Sequence, residues 1–452
     1  MSLKIYQSKG YRSFTLPNGI THQGRRLSAT SELPILDSLL AQKIHNPIVG
    51  DIRIVILPFA NESAPSGALP ILLDQVEEIL TSPTPAPALF LGQRSPVYCL
   101  EQPFLLGQRR IHALQFKGFL YKSLGGEEYS FPRMESYQGI GVPTQHRFFD
   151  LSGKFAIIDP PLRPYASMSL EGAIYEAVNA YTLSEKTELI APPFAFCEFT
   201  DLNFPFSNQD RRVGFVIHLS EGIGRLRGTA MIKEIVEGRK SAHEQKEMIG
   251  KLFLLAGKML SDLHSNGFTH GYYHLDNISF DNRMARSRIH DFDNMSGLND
   301  CNPRAFFGNV LLDLFEFLFI LAFADEATQR IRSFDENRIE DLARKRGIPV
   351  SEVKIVLDWE QNIFRALNAA NARTADPILN FFKGYFGNIE AALGLSQKDI
   401  GIFAAASYHL IGNFLAGAPC PYDYISSKIN SQFLSEEDIL PRAVFKKLFA
   451  DK

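Results

Sequence analysis

The sequence predicts an α+β chain, rich in β-structure in its first half and helical in its second. Two observations carry this. Short apolar, β-branched runs bounded by turn residues recur at Asp51–Pro58, Val97–Leu100, Ile111–Phe116 and Val213–Leu219, the pattern of buried strands. After about Arg304, apolar residues recur at helical spacing over Val310–Ala322, Glu336–Arg346, Glu352–Asn371, Pro377–Leu393 and Gly401–Leu415. The 452 residues suffice for two or three domains. With 45% hydrophobic and 21% charged residues the chain can fill a core, so wholesale disorder is excluded.

In chain order, the strand at Asp51–Pro58 is followed by a helical pattern over Ala68–Leu80, with Leu72, Val76 and Leu80 on one side. Thr81–Pro87 (TSPTPAP) breaks that helix and makes a natural boundary, so residues 1–87 read as an N-terminal extension. The strands at Val97–Leu100 and Ile111–Phe116 flank a turn holding Gly107, Gln108, Arg109 and Arg110. Ser169–Leu183 reads as a helix capped by Ser167 or Ser169, and Val213–Leu219 as a buried strand leading into Ser220–Gly228. His243–His264 carries Met248, Leu252, Leu255, Met259 and Leu263 on one stripe and ends before Gly267, a residue suited to a C-terminal cap.

Charge and cysteine content narrow the function classes. A net charge of −3, from 47 Lys and Arg against 50 Asp and Glu, gives no electrostatic warrant for nucleic-acid binding. The longest apolar run, Leu311–Ala324, is interrupted by Asp313 and Glu316 and is too short for a membrane span. Met1–Gly10 is polar and lacks the apolar stretch of a signal peptide. Cys99, Cys197, Cys301 and Cys420 are scattered without a CxxC pair and read as reduced thiols of a cytoplasmic protein. The 36 Phe against a single Trp form a bias that composition leaves without a role.

The stretch that carries chemistry is 267–294, GFTHGYYHLDNISFDNRMARSRIHDFDN. A long helix ends at a glycine, a polar loop follows with His270, Asp276 and Asn277, and a short apolar step leads to Asp291 and Asp293. This layout places the oxygens of Asn277 and Asp291 on neighbouring strand ends, where they suit Mg²⁺ shared with substrate phosphates. Asp276 beside them is placed to accept a hydroxyl proton.

The arrangement resembles the catalytic and metal-binding loops of protein kinases, HRDxxxxN followed by DFG. Here Tyr272 takes the place of the HRD aspartate, and a phenol of pKa about 10 is a poor base at neutral pH. A closer resemblance is to the selenoprotein O family of kinase-fold adenylyltransferases, whose loop has the form HGxxxxDNxS. His270-Gly271-Tyr272-Tyr273-His274-Leu275-Asp276-Asn277-Ile278-Ser279 matches that frame. Leu114–Gly118 (LQFKG) is similar to the family's LQLKG strand, Tyr175–Ala177 to its SEA segment, Ser220–Gly228 to its arginine-bearing loop, and Arg304–Asn309 to its aromatic-GN segment. The family's glycine-rich nucleotide loop has no evident match; Gly92, Gly107 and the 108–110 turn are the segments available. Asp293 stands where the family has a glycine.

The resemblance implies a bilobal protein-kinase-like fold, with a β-rich N-lobe over 88–222 and a helical C-lobe over 223–452. It implies ATP and Mg²⁺ or Mn²⁺ as cofactors and transfer of AMP to a Ser, Thr or Tyr hydroxyl of a protein substrate. On its terms Lys117, held by Glu176, and Arg227 or Arg225 meet the phosphates, Asn277 and Asp291 hold the metal, and Asp276 accepts the proton. Glu171 is the reserve for Glu176. An atypical kinase passing on the γ-phosphate, and a nucleotide-binding pseudokinase scaffold, are the alternatives. Taken singly, Lys117 is an edge-strand lysine, Glu176 a solvated helix residue and His270 a loop brace; His274 is an optional aid to a nucleophile.

Overall fold

The computed structural model describes residues 5–8, 11–15, 21–25, 41–57, 67–122, 128–137, 146–149, 155–158, 163–203, 212–222, 226–238, 240–293 and 295–297, with helical residues scattered over 309–317, 340–350 and 380–387. Its centre is one antiparallel sheet. We label the elements in chain order: β1 (Ala41–Asn46), β2 (Gly50–Ile56), α1 (Ala68–Thr81), β3 (Leu89–Phe90), β4 (Pro96–Leu106), β5 (Arg109–Lys117), β6 (Met168–Ser169), α2 (Leu170–Ser184), β7 (Pro193–Asn203) and β8 (Arg212–Ser220). The strands run β1-β2-β7-β8-β5-β4-β3, and β6 pairs with β8 off that path. Two further pieces, β9 (Leu226–Arg227) and α3 (Gly228–Glu237), lead to the long helix α4 (Ala242–Ser265). The strand β10 (Phe268–Thr269), a 3₁₀ turn at Leu275–Asn277, and the hairpin β11 (Ile278–Phe280) and β12 (Ser287–Ile289) follow.

Side chains alternate across a strand, so each sheet face builds its own core. One face carries Ile52, Ile54, Ile56, Phe116, Phe199, Phe215 and Ile217, and α1 covers it with Leu72, Val76 and Leu80. The opposite face carries Val55, Phe196 and Val216, and α2 covers it with Ala173, Ile174, Ala177 and Tyr181. Fully burying each Val, Leu, Ile or Phe among these stabilises by about 1.5–3 kcal/mol, so both helices are held mainly by these contacts. The close seat of α2 depends on Gly214, where a Cβ would stand 2.5 Å from the Cys197 carbonyl oxygen and 3.1 Å from Leu170. Ser169 caps α2, accepting from the Gly172 N–H at 3.1 Å. Ser241 and Glu244 form a capping box at the start of α4, and Gly267, at φ 80°, turns the chain out of its end.

The strands β1 and β2 are integral to the sheet, pairing through β2 with the middle of β7. They form its edge, so part of the N-terminal extension expected over residues 1–87 contributes strands to the sheet. The helices expected over Glu336–Arg346, Glu352–Asn371 and Gly401–Leu415 lie largely or wholly outside the described residues. Among the described residues no helix is long and apolar enough to cross a membrane. Of the four cysteines, Cys99 is exposed and Cys197 buried, both as free thiols; Cys301 and Cys420 lie outside the described residues.

Candidate functional site

Lys117 is the last residue of β5, on the sheet face that α2 covers, opposite Val216 of β8. Its Nζ lies 2.9 Å from Glu176 Oε2 and 2.5 Å from Asp291 Oδ1, and the side chain is buried. Burial works against the ammonium charge, yet the carboxylates of Asp291, Glu176 and Asp293 outweigh it and raise the lysine pKa. Burial likewise pushes the Glu176 pKa up, but Lys117 and His218 more than reverse that, so Glu176 is held ionised below the usual carboxylate range. His218, from β8, brings Nε2 to 3.5 Å from Glu176 Oε1.

Glu176 has a second duty. Its Oε2 accepts the N–H of Phe292 at 2.5 Å, while Asn179, one turn further along α2, donates from Nδ2 to the Phe292 carbonyl at 2.7 Å. Helix α2 thus grips the main chain beside Asp291 at two points. That segment needs gripping, because Asp291 sits at φ 71°, a left-handed conformation that, apart from glycine, mainly short polar residues adopt at modest cost.

The 3₁₀ turn at Leu275–Asn277 presents Asp276 and Asn277. His274 caps it, its Nδ1 accepting the Asp276 N–H at 3.1 Å. Burial drives the His274 pKa down to about 4, so the ring is neutral and its lone pair serves the cap. Asn277 donates from Nδ2 to the Tyr272 carbonyl at 3.0 Å and to Asp291 Oδ2 at 3.4 Å, leaving its amide oxygen as the acceptor on offer. The guanidinium of Arg227, at the β9–α3 junction, donates to the Asp276 carbonyl at 2.8 Å, and the Thr229 hydroxyl donates to Asp276 Oδ1.

A deeper layer holds this loop. His270 donates from Nε2 to the His290 carbonyl at 2.7 Å and accepts from the Tyr272 N–H at Nδ1, which makes it a brace; burial lowers its pKa against the opposing field of Asp313. Asp313, fully buried, accepts the N–H groups of His270 and Gly271 at 2.6 and 2.7 Å and contacts His264 Nε2 at 3.1 Å. On the other side of His264, Nδ1 meets the Tyr385 hydroxyl at 2.7 Å.

The structure therefore brings Lys117, Glu176, Asn277, Asp291, Asp276 and Arg227 to one place. Arg225 and the side chain of Glu171 lie outside what is described. Arg227 spends one guanidinium donor on the main chain of the turn, at the Asp276 carbonyl. Of the glycine segments, the Gly92 turn between β3 and β4 is the one beside Lys117, for the Arg94 carbonyl accepts the N–H of Gly118 at 2.7 Å. The Gly107 turn closes the far end of the β4–β5 hairpin, and Arg109 is spent on the carbonyls of Ser184, Thr187 and Ile190. Sequence reasoning missed Asn179, His218, Thr229 and Asp313 in these roles; only Asp313 carried a signal, as a carboxylate in an apolar run.

The donor set fits a hard divalent cation. Asn277 and Asp291 offer oxygens within one hydrogen bond of each other, and Mg²⁺ commonly takes one or two protein oxygens and completes its shell with water and phosphate. No cluster of three or more His, Cys, Asp or Glu that would cage a metal occurs among the described residues.

No protein-family model matches the chain. No curated protein matches it either. Among solved structures it is similar to WaaP in complex with acyl carrier protein, at 13% identity over 56% of this chain and 89% of that one, with a TM-score of 0.26. It is also similar to glucosamine kinase in complex with glucosamine, ADP and inorganic phosphate, at 10% identity over 94% and 92% of the two chains, with a TM-score of 0.23. At scores this low, neither likeness carries weight for fold or chemistry.

Proposed function

We propose that the chain has a bilobal, protein-kinase-like architecture and uses ATP with Mg²⁺ or Mn²⁺ to transfer AMP to a hydroxyl of a protein. The observation that carries the reading is the meeting of one buried lysine with Glu176 and Asp291, beside Asn277 and Asp276. An ammonium has three donors, and two carboxylates claim two of them, so the third is available to a phosphate oxygen. Asn277 and Asp291 hold the cation, which when bound neutralises phosphate charge. Asp276 takes the proton of the acceptor hydroxyl. The new oxygen–phosphorus bond forms at the α-phosphorus as the bond to pyrophosphate breaks, and charge neutralisation with positioning supplies most of the rate. The choice of the α-phosphate rests on the HGxxxxDNxS resemblance.

ATP labelled at either the α- or the γ-phosphate tests this directly. Label passing into protein from the α-position alone supports AMP transfer, and label from the γ-position alone makes the chain a kinase. If neither transfers across a panel of protein acceptors while ATP raises the melting temperature, the chain is a nucleotide-binding scaffold. Asp291→Ala is expected to abolish transfer, at least a hundredfold; undiminished transfer in that variant would overturn the site.

A further inference from the structure

Asp276 is fixed in its main chain by two bonds, its N–H to His274 Nδ1 and its carbonyl from Arg227. Its carboxylate is half-buried, and among the described residues Thr229 is the one hydrogen-bond donor to it. We infer that Thr229 is a positioning residue that clamps Oδ1 of Asp276 and thereby presents Oδ2 to the acceptor hydroxyl. The inference rests on the reading of Asp276 as the proton acceptor.

The fold explains why Thr229 can do this. It is the second residue of α3, so no preceding helical turn supplies a carbonyl to capture its hydroxyl, as commonly happens to Thr deeper in a helix. Its β-branch restricts χ1, so the hydroxyl direction is set by the backbone. That backbone lies against the 3₁₀ turn, since a Cβ on Gly228 would stand 2.6 Å from the Leu275 carbonyl oxygen. Thr229 is also 6% exposed, so its hydroxyl has little water to turn to. Without the clamp the carboxylate rotates about its own bonds, and a proton acceptor displaced by an ångström loses about a hundredfold in rate.

The test is label transfer from ATP by the full chain, comparing wild type with Thr229→Val and Thr229→Ser. Val keeps the shape and removes the donor; Ser keeps the donor. Thr229→Val is expected to lower kcat about tenfold to a hundredfold, with the KM for ATP and the ATP-induced melting shift within about twofold. Thr229→Ser is expected to stay within about threefold of wild type. Transfer by Thr229→Val at the wild-type rate overturns the inference. So does a Ser variant as impaired as Val, or a fall in kcat matched by lost ATP binding, which marks a structural role. Should Thr229→Val not fold, Thr229→Ser against Thr229→Ala carries the same contrast. Asp276→Asn separates the two levels. If it transfers as well as wild type, or if wild type transfers no label, the proton-acceptor reading itself fails and the clamp falls with it.

Discussion

At the scale of single residues, the neutral state of His274 has a measurable cost. Its pKa of about 4 in the folded chain lies below the unfolded value of 6.5, so on acidification the unfolded state takes up the proton first. Stability therefore falls as pH drops through 6.5 towards 4, by on the order of 2 kcal/mol at pH 5 for this residue. The burial-lowered His270 adds a loss of the same sign. Glu176, with its pKa held down, adds little above about pH 5, so the interval from pH 7 to pH 5 reports mainly on the histidines. His274→Asn keeps an oxygen to cap the turn and does not titrate, so its unfolding midpoint should fall less between pH 7 and 5 than that of wild type. The sequence displayed Lys117, Glu176, Asp276, Asn277 and Asp291 because each lies within a local pattern that can be matched residue by residue. Thr229, Asn179 and Asp313 had no such frame. Their partners lie 47, 113 and 43 residues away, and only folding puts them within reach.

Among elements, the amphipathic ones were legible and the doubly packed one only in part. Leu72, Val76 and Leu80 are the buried stripe of α1 as the spacing predicts, because that helix meets a single surface. Helix α4 was expected to bury Met248 and Leu255, yet both are half-buried, while Phe253, Ala256 and Gly257 are fully buried. The reason is a second contact. Around Gly257 and Gly384 two backbones come together, with Cβ positions 2.0 Å from the Phe381 and Leu254 carbonyl oxygens respectively. Glycines in an apolar pattern look neutral in sequence, although here they set how closely the helices approach. In an exposed helix Gly→Ala gains about 1 kcal/mol. Gly257→Ala should instead lose about 1–3 kcal/mol, because the methyl meets main chain that cannot turn aside. A higher denaturation midpoint in that variant would show that the helices do not approach in this way.

Across the whole molecule, the phenylalanine excess finds a place. Phe116, Phe119, Phe199 and Phe215 stack and tilt against one another at centroid distances of 5.0–6.4 Å beneath the sheet, with Phe131 edge-on to Phe119. The rings lie on the face away from Lys117, so they stiffen the platform that carries the site. The same face extends through Ile52, Ile54 and Ile56, which is why a boundary at residue 87 divides what the sheet joins. Pro-rich composition at 81–87 marks the end of α1 correctly, and a helix end resembles a domain end when strand pairing across the chain is unseen. Removing residues 1–57 would strip Ile44, Ile52, Ile54, Val55, Ile56 and Leu57 from the core and leave β7 with β8 as its one remaining neighbour among those strands. At about 1.5–3 kcal/mol for each side chain, reduced by about a third for a compact unfolded state, the loss is comparable with the 5–15 kcal/mol of a whole domain. A chain beginning at residue 58 is therefore expected to lack a cooperative thermal transition. Circular dichroism melting of that truncation, with and without ATP, is the check. A sharp transition at the full-length temperature would mean that β1 and β2 decorate the sheet and do not complete it.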